Sequence, residues 1–330
     1  MSDLPHRMRA VVFDRFGPPE RLRCAEVQRP SPRQGELLVR VAASAVTSAD
    51  LRIRGQDMPN GFGLPFRVLY GFHRPRQPVL GSAFAGTVVA VGPGVSRWRA
   101  GDAVFGMSGM RMGAHAAYVC VAQSSLVCTK PEDLSFEEAA SLPFGGTAAL
   151  SLLRRAGLSS GDRIVVNGAS GAVGSAAVQL AHAAGAHVTG VCSARNAGYV
   201  RFLGADEVID YTREDFTVRR SAFDVLFDVA CSNPLSKTLQ AARQGGRCIR
   251  LQASLPEMLT APWHSLHSRR RVIAGIAEER CSDLEQLVEM TRMGCYKPLI
   301  GAVFEPERAV EAHRAAASGS YGTPVLLRFF

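Results

Sequence analysis

The chain has 330 residues, 47% of them hydrophobic and 20% charged, which excludes disorder, collagen and coiled coil and fits about two globular domains. Its net charge of +9 rests on 38 basic residues, of which only Lys130, Lys237 and Lys297 are lysines. The arginines are scattered, with one cluster at Arg269, Arg270 and Arg271, so a solvated surface is expected rather than a nucleic-acid-binding stripe.

In chain order, the opening MSDLPHRMRAVVFDRFG has no apolar core long enough for a signal peptide. Short alternating runs follow up to about residue 131: MRAVVF, ELLVRVAA, FAGTVVAVG, GDAVFGM, AHAAYVCV and LVCT. Gly and Pro punctuation separates them, which predicts an irregular β barrel. Residues 55 to 80 interrupt this pattern with glycines, prolines and aromatics of little periodicity, and read as a long loop beside a site. At Ser135-Phe-Glu-Glu138 the pattern changes, because this is a capping box opening a helix to about Leu153.

From there strands alternate with helices: IVVN, a helix over 171–184, HVTGVC, a helix over 195–203, EVID, DVLFDV, a helix over 234–243, RCIRL and RVIAGI. Six strands with intervening helices specify an α/β fold, a Rossmann-type doubly wound parallel sheet. The run from Ile164 to Ala194 holds no Asp, Glu, Lys or Arg, yet its glycines, Asn167, Gln179 and His182 break it into strand, turn, helix and strand rather than a membrane span. The tail reads as helices over 282–293 and 307–317 and a closing strand TPVLLRFF that returns to the N-terminal barrel. Eight cysteines without a CxxC pair exclude a secreted disulfide scaffold, and a soluble, cytoplasmic protein is expected.

The chemistry enters at Asn167-Gly168-Ala169-Ser170-Gly171-Ala172-Val173-Gly174. This GxxGxxG runs from a strand into a helix, where glycines let the backbone approach a pyrophosphate and unpaired N–H groups bind it. A glycine-rich turn that merely packs on the sheet is the plain alternative. The next strand ends in Ser193, Ala194, Arg195 and Asn196, without the acid that would accept a ribose hydroxyl of NAD. Arginine and serine suit a 2′-phosphate instead, so NADP(H) is the expected cofactor.

Nearly the whole chain resembles the medium-chain dehydrogenase/reductase superfamily, in its zinc-independent quinone oxidoreductase-like branch. The resemblance is carried by ELLVRVAASAVTSADLRIRG, PVLGSAFAGTVVAVG, GDAVFG, AASLPFGGTAAL, VVNGASGAVG, LGADEVIDY, FDVLFDVA and GGRCIRL. It implies a GroES-like catalytic domain, here 1–131 with 279–330, into which a Rossmann domain, 132–278, is inserted. It also implies a cleft between them for the nicotinamide, and homodimers joined through the Rossmann sheet edge. By the same resemblance Ser193 and Tyr211 match positions that bind the 2′-phosphate, Asn196 falls on a lysine position for which Arg195 would substitute, and Leu251 of GGRCIRL joins the cofactor set.

Relatives that bind catalytic zinc carry cysteines and a His-Glu pair where this sequence has Thr47, Ser82, Ala83 and Pro143. Those residues cannot supply the thiolate and imidazole set that tetrahedral zinc requires, so no metal is expected. Without a Lewis acid the acceptor must take hydride readily, as quinones and α,β-unsaturated carbonyls do. The resemblance points to Thr147, although a helix threonine also bonds its own backbone. It points to Thr47 in a slot that commonly holds asparagine, and Tyr70 in the long loop is a candidate proton donor. Asp50 reads as a local cap and His73 and His115 as loop and surface groups; by the resemblance Asp57 lies near where enoyl reductases of the superfamily carry an active-site tyrosine, which argues against a fatty enoyl-thioester substrate.

The expected function is hydride transfer from NADPH to a quinone or enone. The alternatives are an NADP-dependent carbonyl reductase or alcohol dehydrogenase of a specialised metabolite, and a non-catalytic nucleotide- or RNA-binding protein. Partners are expected to be a small-molecule substrate and a second copy of the chain, with no nucleic acid and no membrane.

Overall fold

The computed structural model describes residues 4–275, 277–278, 280–319 and 324–330. The first strands are β1 (Arg7–Val12), β2 (Arg23–Gln28) and β3 (Glu36–Val46). After the helices α1 (Ser48–Gly55) and α2 (Gly63–Tyr70) come β4 (Ala83–Val91), β5 (Ala103–Met107), β6 (Tyr118–Ala122) and β7 (Val127–Thr129). β1 and β2 form an antiparallel ribbon. β3 is the hub of the larger sheet, pairing antiparallel with β4, β6 and the last strand of the chain. It is buried along almost its whole length, Arg40 excepted, and so reads as a near-continuous apolar run.

The helix α3 (Phe136–Ala156) opens the second unit. Its Ser135 hydroxyl accepts from Glu138 N–H and its Glu138 carboxylate accepts from Ser135 N–H, at 3.1 and 2.8 Å, satisfying two donors that a helix start leaves unpaired. Gly157, at φ +64°, ends it in the left-handed conformation. Then follow β8 (Arg163–Asn167), α4 (Ala172–Ala183), β9 (His187–Cys192), α5 (Ala197–Phe202), β10 (Glu207–Asp210), β11 (Phe223–Asp228), α6 (Leu235–Leu239), β12 (Ala242–Arg250), α7 (Leu255–Ser268) and β13 (Arg271–Ala274). These six strands lie in the order β10-β9-β8-β11-β12-β13, and every pairing is parallel. The order reverses between β8 and β11, which is where such sheets bind ligands, beyond the strands' carboxyl ends.

The chain closes with α8 (Cys281–Arg292), β14 (Ala302–Phe304), α9 (Ala309–Ser318) and β15 (Val325–Arg328). β15 pairs with β3, so the tail does return to the first sheet. One apolar core runs through both units, joining Ala43, Ala85 and Phe105 to the α3 side chains and to Ile164 and Val166. Among the described residues no helix is long and apolar enough to cross a membrane.

Two local expectations need correction. The segment 55–80 is not a continuous loop, because residues 63–70 form α2. The helix expected over 234–243 stops at Leu239, since Ala242 is already paired with Phe223 in the sheet. Helix α7, with Pro256 in its first turn and Pro262 inside it, and the short strands β2 and β14 were not expected. Ile276 and Thr323, expected in strands, lie outside the described residues.

Candidate active site

β8 delivers the chain to Gly168, whose φ of +87° suits glycine. The N–H groups of Gly168 and Ala169 both donate to the Val191 carbonyl, at 3.1 and 3.0 Å, tying the turn to β9. Gly171 then starts α4 without any side-chain cap. The first N–H groups of a helix have no intrahelical acceptor, and here they stay available with the positive end of the helix dipole behind them. A β-carbon on Gly174 would lie 2.0 Å from the Gly168 carbonyl oxygen, and one on Gly145 of α3 would lie 2.4 Å from the Ala172 carbonyl oxygen. The turn and α3 therefore press on the start of α4 with no space for a side chain at Gly174 or Gly145.

Beyond β9 and β10 the register pairs Asp210 with Cys192, which sets Tyr211 beside Ser193. Tyr211 is 63% exposed. Asn196 is buried and its amide donates to the Ser170 hydroxyl at 3.1 Å, linking this ledge to the glycine turn. The exposed Arg195 donates through Nη2 to the Ser318 carbonyl at the end of α9, at 2.9 Å. Asp210 is the acid on this ledge. Hydrogen bonds from Thr212 hold its carboxyl below the usual carboxylate range, with Arg213 and Ala194 N–H adding to the effect.

Beneath the turn lies a buried polar network. The Asn167 amide donates to Asp228 at 2.8 Å, Arg250 donates to the other Asp228 oxygen at 2.9 Å, and Arg250 reaches on to Glu257 at 2.8 Å. Burial pushes the Asp228 carboxyl up, while Arg250, Asn167 and the Cys231 N–H act against that rise. The network fixes the ends of β8, β11 and β12 and the first turn of α7.

Above these strand ends a cleft of about 480 Å³ separates α1 and α2 from α3, α4 and the segment after β12. Its walls are mainly apolar and include Phe66, Tyr70, Phe144, Thr147, Val173 and Leu251. A larger cavity of about 630 Å³ lies behind Tyr70 and Met110, among Arg33, Glu36 and Arg111. It touches neither the glycine turn nor α3, so the smaller cleft is the candidate site.

The three expected catalytic residues occupy different situations. Thr147 is buried and lines the cleft, and its hydroxyl donates to the Pro143 carbonyl at 2.5 Å, leaving oxygen lone pairs as its capacity toward a ligand. Tyr70 lines both cavities, and its hydroxyl donates to the Met110 carbonyl at 3.3 Å. Burial, helped by Asp50, pushes its phenol up from the usual tyrosine value, so it holds its proton at neutral pH. Thr47 is not among the residues lining the cleft. It caps α1, its hydroxyl donating to Asp50 at 2.6 Å and accepting from Asp50 N–H at 3.4 Å. Asp50, fully buried, also accepts from Gly81 N–H at 2.7 Å. His73 is exposed, but His115, read as a surface group, is wholly buried against His313, with ring centroids 5.7 Å apart. The sequence reading overlooked Arg52 and Gln252, which meet across the cleft. The i, i+4 spacing of Ser48 and Arg52 was the available signal.

Comparisons with known proteins match this arrangement. Residues 33–132 fit the alcohol dehydrogenase GroES-like domain and residues 203–321 the family described as zinc-binding dehydrogenase. The chloroplastic quinone-oxidoreductase QR1 of Triphysaria versicolor is 32% identical over 94% of this chain and 95% of its own length. The chain belongs to the quinone oxidoreductase-like branch of the medium-chain dehydrogenase/reductase superfamily. The quinone oxidoreductase of Sus scrofa is 29% identical over 97% of this chain and 98% of its own. The structure of the quinone oxidoreductase from Coxiella burnetii superposes with a TM-score of 0.88 at 26% identity, covering 98% of this chain and 99% of that one. As a member of the superfamily the chain is an oxidoreductase of small molecules, with a nucleotide-binding domain of the kind that takes a nicotinamide cofactor.

The donor set does not fit the zinc named in one matching description. Thr47 is committed to Asp50, Ala83 and Pro143 carry no ligand side chain, and no group of three or more His, Cys, Asp or Glu able to hold a metal occurs among the described residues.

Proposed function

We propose that this superfamily member is an NADPH-dependent, zinc-independent reductase of quinones or α,β-unsaturated carbonyl compounds. The observation that carries the reading is the uncapped glycine turn at the start of α4, which contributes Val173 to the same apolar cleft that Thr147 lines. The residues fit a dinucleotide, since Gly174 packs the helix start directly against the backbone of the turn and the uncapped N–H groups there suit a diphosphate. Asn167 to Gly174 and Leu251 form this part of the site. Ser193, Arg195, Asn196 and Tyr211 take the 2′-phosphate, Arg195 with its charge-assisted fork and Asn196 by holding Ser170.

A bound nicotinamide supplies the hydride. The chain excludes water with Phe66, Phe144 and Val173, orients the reactants through Thr147, and keeps a proton on the Tyr70 phenol oxygen at the edge of the cleft. Thr47 acts by fixing the first turn of α1. In this reading the barrel unit, 1–131 with 279–330, closes on the dinucleotide unit, 132–278, and two copies pair through β13, the edge strand of the parallel sheet.

NADPH and NADH oxidation measured against a panel of quinones, enones and simple ketones tests this function. Turnover of the first two classes with NADPH preferred supports it. Turnover of ketones alone would favour the carbonyl reductase reading, and dinucleotide binding without turnover a non-catalytic role.

A further inference from the structure

Among the described residues that line the cleft, Arg52 alone carries a charge. It stands on α1, where Ser48, Ala49, Arg52 and Ile53 turn one face of the helix toward the opening. The Thr47–Asp50 cap fixes the turn from which it projects. Its Nη2 donates to Oε1 of Gln252, on the segment that leaves β12 on the opposite wall. Gln252 is neutral, and no carboxylate among the described residues pairs with Arg52. Arg250 differs, since two carboxylates meet it. The cleft thus holds a half-buried guanidinium that no carboxylate among the described residues neutralises. A ligand that fills the cleft would remove water from this charge, which is costly unless the ligand itself brings the counter-charge. Among the described residues Gln252 alone meets the fork, which leaves further N–H donors on Arg52, and the Gln252 amide adds its own from the far wall.

We propose that Arg52 and Gln252 form a receptor for an anionic oxygen group of the ligand, a carboxylate or phosphate, gripped from both walls of the cleft. The inference rests on the reading of the cleft as a dinucleotide and acceptor site. The anion has two chemical sources there: the diphosphate of the dinucleotide, opposite the α4 N-terminus, or a carboxylate carried by the acceptor.

Purified full-length protein and its R52A, R52Q and R52K variants distinguish these sources. Calorimetry gives Kd for NADPH and for inorganic pyrophosphate, and steady-state kinetics gives KM for an enone and its carboxylated counterpart. A loss of about tenfold or more in NADPH affinity in R52A and R52Q, partly restored in R52K, assigns the receptor to the diphosphate. An unchanged NADPH Kd with a comparable rise in KM confined to the carboxylated enone assigns it to the acceptor. NADPH and pyrophosphate Kd and both KM values within twofold of wild type in all three variants overturn the proposal. Failure of the underlying reading looks different: a wild type that binds pyrophosphate through Arg52 but no dinucleotide keeps the receptor and defeats the dinucleotide site.

Discussion

Gly174 lies so close beneath Gly168 that a β-carbon on it would stand 2.0 Å from the Gly168 carbonyl oxygen and 2.9 Å from the Ala169 α-carbon. Backbone atoms on both sides cannot yield as a flexible side chain would. Replacing Gly174 with Ala is expected to destabilise the protein by about 1–3 kcal/mol and to weaken dinucleotide binding more than the stability loss explains. Thermal melting together with calorimetric titration checks this.

Arg195 reaches the Ser318 carbonyl with one N–H, leaving donors for a phosphate. R195A should raise the Kd for NADPH by about 10- to 100-fold, the loss of charge-assisted hydrogen bonds, and leave NADH nearly unchanged. Equal effects on the two dinucleotides would remove Arg195 from the 2′-phosphate site.

Thr47 and Thr147 should separate in their effects. Thr47 is a helix cap, so T47A is expected to cost about 1 kcal/mol of stability, with kcat affected little and T47S close to wild type. T147A removes a hydroxyl that lines the cleft and should lower kcat/KM at a nearly unchanged melting temperature. Parallel melting and kinetic measurements on both variants decide the matter.

His313 predicts the direction of acid sensitivity. Neither of its ring nitrogens has a partner among the described residues, and burial, followed by the nearby His115 and Arg54, holds its pKa well below the usual histidine value. The unfolded chain protonates this group below about pH 6.5, while the folded protein does not until lower pH. The folded state then binds fewer protons, so stability rises with pH in this window and is lost as pH falls from about 6.5 toward the folded pKa. The contribution reaches at most about 1.4 kcal/mol per pH unit. Denaturant titrations between neutral and acid pH should show a shallower slope for H313L than for wild type.

What was legible in the sequence was local. The glycine turn, the Ser135–Glu138 cap and the six strands of the parallel sheet depend on neighbours within a few residues, and each appears where the pattern put it. Helix α2 was missed because it exposes Leu64, Val68 and Leu69 and so shows no ordinary polar outer face. α7 was hidden by its two prolines, and α6 ends early because strand pairing claims Ala242. His115 meets His313, and Arg52 meets Gln252, through contacts between residues about 200 apart in the chain. The first pairing is set by the return of the C-terminal segment to the first sheet and the second by the meeting of the two units, and no short pattern records either.

The central claim is that the α4 N-terminus and the ledge beyond β9 bind NADPH above an apolar cleft where an acceptor is reduced. Titration of the protein with NADPH and NADH, followed by addition of a quinone or enone, tests it most directly. The account predicts saturable binding of NADPH about tenfold or more tighter than NADH, and acceptor-dependent loss of the reduced nicotinamide absorbance. Absence of binding by either dinucleotide would contradict it.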